Sequence, residues 1–404
     1  MPIELVSPVR EYAEVRDACE RAVCEVLASG KYILGEQVGA FERAFADYVG
    51  TEHAVGVANG TDALCIALRS LGIGDGDEVI TTPYTFFATA EAIAAVGATP
   101  VFCDVREDTY NIDAQKILPL ITERTKAILP VHIFGQCADM DAINMIAKRS
   151  GLYVIEDACQ AAGAWYKGRM AGGLSDVACF SFFPTKNLAC AGDGGMITTD
   201  YNCIAEVSRG LRAHGGGIQG KRAAELLCND GQKPLPSRQR DAIRAEGPDE
   251  EMVQSKYHNH LIGYNSRLDE IQAAILRVKL NKLDSFMERR REIAAFYGHT
   301  LRECKGITLP FAGNPSAHAW HMYVLRSSER DALRAHLDKK GIVTGVYYPV
   351  PLHLQPAFAQ LGYREGDMPV AEALSRSAVA IPLFAQMTEL ERWYVADSVK
   401  EFCQ

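Results

Sequence analysis

Tyr153-Val154-Ile155-Glu156-Asp157-Ala158 and, further along, Val177-Ala178-Cys179-Phe180-Ser181-Phe182-Phe183-Pro184-Thr185-Lys186-Asn187 are two apolar runs that each end on charged or hydroxyl-bearing residues. Short apolar runs of this kind predict strands buried on both faces. The pattern repeats from His53 to Thr199, where runs at 54–57, 78–81, 99–103, 127–130, 153–156, 177–181 and 196–198 alternate with amphipathic stretches. That alternation predicts an α/β fold with a largely parallel seven-stranded sheet covered by helices on both faces. Such sheets bind ligands in the crevice at the carboxyl ends of their strands. Asn59-Gly60-Thr61, Tyr84-Thr85-Phe86, His132, Asp157 and Lys186 all follow predicted strands, so they are expected to converge there.

Outward from this sheet, residues 8–50 predict two helices, one carrying Ala13, Val15, Cys19, Val23, Val26 and Leu27, the next Phe41, Phe45 and Tyr48, with a loop at 30–35 between them. Residues 215–257 are rich in Gly, Gln, Arg and Glu, contain three prolines and lack a sustained period, which predicts a long surface insertion. A helix is expected from Ile271 to Phe286, continuing through Arg289-Arg290-Arg291 toward Tyr297. Strands at 322–325 and 343–348 and helices at 329–339 and 371–378 predict a smaller α+β unit. The expected division is a large domain, 1–262, and a small C-terminal domain, 263–404.

A chain of 404 residues exceeds one ordinary core, so two domains sharing a cleft are expected. Its apolar and charged fractions, 48% and 23%, are those of a globular protein, and a net charge of −9 argues against a nucleic-acid surface. Met1-Pro2-Ile3-Glu4-Leu5 is not a secretory leader, and no apolar run reaches membrane-spanning length, so a cytoplasmic protein without a membrane partner is expected. The 12 cysteines are scattered, without a Cys-x-x-Cys pair, and read as reduced packing residues; no metal site is expected.

The chemistry concentrates in a few side chains. Lys186 lies among Phe180, Phe182, Phe183, Leu188 and Ala189, surroundings that desolvate an ammonium, lower its pKa and free the amine as nucleophile and base. Asp157 ends an apolar strand, where a carboxylate needs a partner; it reads either as a helix cap or as the counter-ion of a bound cation. An amine that can hold an aldehyde and an acid that keeps a pyridine nitrogen protonated are what pyridoxal 5′-phosphate chemistry requires. Gly60 and Thr61 open a helix directly after a strand, a place suited to phosphate, and Ser181 can add a hydroxyl. Phe86 can stack on a ring or serve as ordinary core, and Gln160 can meet a ring hydroxyl. His132 reads equally as cleft-lining or structural.

Taken together, Glu156-Asp157-Ala158-Cys159-Gln160-Ala161, Ser181-Phe182-Phe183-Pro184-Thr185-Lys186, Gly192-Asp193-Gly194-Gly195 and Gly263-Tyr264-Asn265-Ser266-Arg267-Leu268 closely resemble the DegT/DnrJ/EryC1/StrS family of sugar aminotransferases. The resemblance runs from Ser29 to Leu383 and implies the fold type I (aspartate aminotransferase-like) architecture. It implies Lys186 as the Schiff-base lysine, Asp157 as the pyridinium partner and Phe86 as the stacking ring. Gly60, Thr61, Gln160 and Ser181 fall at cofactor-contacting positions. It further implies a homodimer with shared active sites, in which Asn265 reaches the neighbouring subunit's cofactor phosphate and Arg267 meets substrate anions.

The implied reaction moves the amino group of L-glutamate, by way of pyridoxamine phosphate, to a nucleotide-linked ketosugar. The segment from Tyr257 to Leu268 looks most like the branch acting on C3 of 3-keto sugars, including UDP-N-acetyl sugars, for cell-surface, lipid A or natural-product sugars. The alternatives are amination at C4, a sugar dehydratase, in which histidine replaces the lysine, and a non-catalytic regulator of the same fold.

Overall fold

The computed structural model describes residues 2–228, 257–313 and 317–404. Strands β1 (His53–Val57), β2 (Glu78–Thr81), β3 (Thr99–Phe102), β4 (Thr125–Leu129) and β5 (Tyr153–Asp157) are followed by a small hairpin, β6 (Trp165–Tyr166) and β7 (Arg169–Met170), and then by β8 (Val177–Ser181) and β9 (Gly195–Thr199). Seven of these form one sheet in the order β1-β9-β8-β5-β4-β2-β3. β9 runs antiparallel to β1 and β8, and the other neighbours are parallel. The expected α/β class and largely parallel seven-stranded sheet are therefore present.

Period-two alternation sorts the side chains between two cores. Ala178 and Phe180 of β8 join Phe41, Phe45 and Phe182 on one face, where Phe45 meets Phe180 edge-on at 5.0 Å. Val177 and Cys179 point to the other face, against Leu64, Ile66 and Leu68 of the helix Gly60–Ser70. Truncating a fully buried aromatic such as Phe45 to Ala should cost about 3–5 kcal/mol, because the packed surroundings collapse only partly into the void. The rigidity of this double-sided core fixes the strand ends that carry the site.

Beyond the large sheet, β10 (Ile307–Thr308), β11 (Tyr323–Ser327) and β12 (Ala378–Ile381) form a three-stranded antiparallel sheet. The helices Leu283–Thr300, Arg330–Lys339 and Glu389–Phe402 contribute Tyr297, Leu333, Leu337, Val395 and Val399 to its core. Asp104, in the loop after β3, accepts hydrogen bonds from Val370 N (3.2 Å) and Ala371 N (3.0 Å), so a side chain near the large sheet caps the helix Pro369–Ser377.

Several expectations need correction. The helix expected from Ile271 toward Tyr297 is two helices, Glu270–Leu280 and Leu283–Thr300. The first shares a core with Phe41 and Phe180 through Ala273 and Leu276, whereas the second delivers Tyr297 to the small sheet's core. Residues 343–348 are not a strand: Val343 N donates to Ile3 O (2.9 Å), Gly345 pairs with Ala380 in an isolated bridge, and Tyr347 and Tyr348 line a cleft instead. Within 215–257, Gly217–Cys228 is a helix packed on Asn202–Leu211, and residues 229–256 of the expected insertion lie outside the described residues. Among the described residues, no helix is long and apolar enough to cross a membrane.

Candidate active site

The carboxyl ends of β1, β5 and β8 open into a cavity of about 890 Å³, within the range of small-molecule sites. Gly60, Thr61, Phe86, Asp157, Gln160, Ser181 and Lys186, separated widely in sequence, all line it.

One end is the start of the helix Gly60–Ser70. Asn59 Oδ1 accepts from Asp62 N (2.8 Å) and caps it, and its first residues, Gly60 and Thr61, line the cavity at the positive end of the helix. A Cβ on Gly60 would lie 2.8 Å from Ser181 Cβ and 3.0 Å from Cys159 Sγ, so only glycine allows this close approach. Gly195 of β9 matters as well: a Cβ there would come within 2.3 Å of Asn59 O. The glycine-rich motif at 192–195 thus makes room for the turn at 59–60, a role that appears only when β9 is placed beside β1.

At the other end, Asp157 is buried with its carboxylate held from two sides. Thr89 Oγ1 donates to Oδ2 (2.8 Å) and Cys159 N to Oδ1 (3.2 Å). Lys186 lies half-buried in the same cavity. Desolvation lowers its pKa below the ordinary 10.5, while Cys159 and the Asp157 carboxylate pull in the opposite direction. The neutral amine is therefore more available than on a surface lysine.

Phe86 is 59% exposed, a large flat ring presented to the cavity rather than packed in a core. Gln160 is fixed by two contacts: Oε1 accepts from Phe134 N (2.8 Å) and Nε2 donates to Tyr348 Oη (2.9 Å). One amide proton remains for a ligand. His321, which the sequence left without a role, also lines the cavity, with Nδ1 3.3 Å from Asn187 Oδ1. Burial first, and then the nearby Lys186, Arg290 and His318, depress its pKa well below 6.5, so it is neutral.

Two predicted residues are not in this chain's cavity. Asn265 is exposed and Arg267 half-buried, and the guanidinium of Arg267 donates to Asn265 Oδ1. His132 is structural: it is fully buried and its Nε2 lies 2.9 Å from Glu156 Oε2. Since Ala138 N donates to its Nδ1 (3.2 Å), the proton sits on Nε2. Thr85 lies in the segment 84–86 expected at the cleft and lines it, but sequence reasoning missed Thr89, which sits between two alanines with no sign that it faces the cleft.

The donor set fits pyridoxal phosphate. An N-terminal helix cradle that a Cβ would fill, a desolvated amine, a carboxylate with unused acceptor capacity and an exposed ring share one cavity. Fold and site together define a pyridoxal-phosphate-dependent aminotransferase of fold type I.

The model of the DegT/DnrJ/EryC1/StrS aminotransferase family matches residues 14–400, and the chain belongs to that family. It is 44% identical over 404 residues to a Geobacillus stearothermophilus protein called a pleiotropic regulatory protein, covering 100% of this chain and 99% of the relative. It is 42% identical over 393 residues to the dTDP-3-amino-3,4,6-trideoxy-alpha-D-glucose transaminase of Streptomyces venezuelae, covering 97% and 94%. The crystal structure of S. venezuelae DesV in complex with a ketimine intermediate superposes with a TM-score of 0.88 at 41% identity, covering 100% of this chain and 99% of that one.

Proposed function

We propose that this enzyme transfers the amino group of L-glutamate to C3 of a nucleotide-linked 3-ketosugar, giving an aminosugar nucleotide and 2-oxoglutarate. The observation that carries this reading is the placement of the desolvated Lys186 amine and the half-saturated Asp157 carboxylate in one cavity that ends in a helix N-terminus. The likeness to a 3-amino-sugar transaminase over 97% of the chain supports carbon 3.

Bound pyridoxal phosphate supplies an aldehyde that accepts the amino group and a protonated ring that withdraws electrons from the reacting carbon. Lys186 would hold that aldehyde when the cofactor is bound, and its amine, once freed, would take the proton from the amino donor's α-carbon and deliver it across the nitrogen, so one base would serve both half-reactions. Asp157 would keep the ring nitrogen protonated, Gly60, Thr61 and Ser181 would seat the phosphate, Phe86 would cover the ring face, and Gln160 would offer its free amide proton to the ring hydroxyl.

The reading extends to a homodimer with shared sites. Among the described residues lining the cavity are three carboxylates, Asp62, Asp157 and Asp193, and one ammonium, Lys186, with no arginine. A cofactor phosphate and a sugar diphosphate need more positive charge than this. Asn265 and Arg267, outside their own chain's cleft, are the groups proposed to reach a neighbour's. A cytoplasmic location follows from the proposed substrates.

The assay is to load the protein with cofactor and L-glutamate and offer UDP-linked and dTDP-linked 3-keto sugars, reading 2-oxoglutarate and the aminated carbon by NMR. Nitrogen at C3 of one of them supports the proposal. Nitrogen at C4, or loss of water without nitrogen transfer, overturns it.

A further inference from the structure

Thr85 and Thr89 line the same cavity, and the proposed scheme gives their buried hydroxyls no role. Thr89 Oγ1 donates to Asp157 Oδ2 at 2.8 Å, and Thr85 Oγ1 lies 3.0 Å from Thr89 Oγ1. We propose that Thr89 is a positioning residue for Asp157, and that Thr85 drives it, so that the two threonines form a one-way hydroxyl relay ending on the catalytic carboxylate.

Proton accounting fixes the direction. An ionised carboxylate only accepts, so Thr89 spends its single hydroxyl proton on Asp157. The remaining short contact therefore has Thr85 as donor and Thr89 as acceptor. Each bond polarises the next toward the carboxylate, and all three groups are nearly water-free, at 2%, 1% and 5% exposure.

Geometry gives the relay a purpose. The last torsion of an aspartate is soft and broad, so burial alone does not set the plane of its carboxylate. Here the two oxygens are gripped by different elements: Oδ1 by Cys159 N in the turn after β5, and Oδ2 by Thr89 in the helix Ala88–Ala95 after β2. Rotation would break one bond or the other. Thr89 also departs from the habit of helical threonines, whose hydroxyls bond to their own helix's preceding carbonyls; its proton goes across to another element. The lone pairs that neither donor occupies are what remain for a ring nitrogen. This inference rests on Asp157 being the cofactor's partner.

The test uses full-length protein stripped of cofactor and titrated with pyridoxal phosphate, following half-saturation and the visible band, with melting temperature as control. Thr89→Val keeps the shape and removes the hydroxyl. It should weaken cofactor affinity about tenfold or more and move the band, since a buried charged acceptor loses its donor. Thr89→Ser should return both to within about twofold of wild type, and Thr85→Val, one bond further out, should show a smaller loss of about two- to threefold. Should Thr89→Val fail to fold, the serine and Thr85→Val variants still decide. Wild-type affinity and spectrum in Thr85→Val overturn the relay whatever Thr89→Val does, and the same result in Thr89→Val overturns the positioning role of Thr89. Unchanged affinity and spectrum in Asp157→Asn would instead overturn the assignment of Asp157, which separates the two failures.

Discussion

Glu156 and Asp157 are consecutive residues of β5 whose side chains face opposite sides of the large sheet, and they show what separates a structural acid from a working one. Glu156 receives four donors, two on each oxygen: His132 Nε2 at 2.9 Å and Gly172 N at 2.7 Å, then Leu174 N at 2.8 Å and Ser175 Oγ at 2.9 Å. A carboxylate has about four acceptor sites, so this one is full. Among the described residues Asp157 receives one donor on each oxygen, from Thr89 and Cys159, and lines the cavity with capacity to spare. One side of the sheet is closed by its own chemistry; the other is left open toward a ligand.

The strongest way to sharpen that contrast lies on the open side. Lys186→Ala should lower turnover by at least about 10⁴-fold in a coupled 2-oxoglutarate assay while the far-UV circular dichroism stays native, because the proposed nucleophile and the proposed base are the same group. Asp157→Asn should lower turnover about 10²–10³-fold with little change in melting temperature. Glu156→Gln should do the reverse. Its amide offers one acceptor oxygen and an N–H pair to four donors, costing about 3 kcal/mol of stability in chemical denaturation, with a smaller effect on rate in whatever folds. If the two variants shift stability alike, the division between the two sides fails.

A weaker effect is expected at the phosphate cradle. Gly60→Ala puts a methyl group 2.8 Å from Ser181 Cβ and should reduce cofactor affinity about tenfold, measured by titrating the stripped protein. The smallest expected change is in a titration. Burial disfavours the ammonium of Lys186, so in stripped protein its labelling by an amine reagent should have a midpoint below 10.5. Asp157 favours the ammonium, so Asp157→Asn should move that midpoint further down; an upward move contradicts the arrangement.

How much of this was legible in the sequence follows from the range of each interaction. β8, with its run into Lys186, could be read because apolar strands and the polar residues at their ends are local patterns, and parallel sheets place strand ends together. The full set of partners of Glu156 could not, since Gly172, Leu174 and Ser175 reach it through the hairpin β6–β7, and His132 comes from the adjacent strand end. Thr89 sits in Ala88-Thr89-Ala90 and reads as filler until β2 and β5 are placed in one sheet. The run 343–348 has strand-like composition, yet Tyr84 Oη bonds Tyr347 O at 2.5 Å and Gln160 bonds Tyr348 Oη, contacts that draw this segment to the cleft. Asn265 and Arg267 were legible only through family resemblance, because among the described residues no contact within their own chain takes them to the cavity.

Every role proposed for this site depends on a covalent link between Lys186 and the cofactor. Borohydride reduction of the cofactor-loaded protein, followed by proteolysis and mass spectrometry, should find the reduced adduct on the peptide containing Lys186 and nowhere else. An adduct on another lysine, or none, would contradict it.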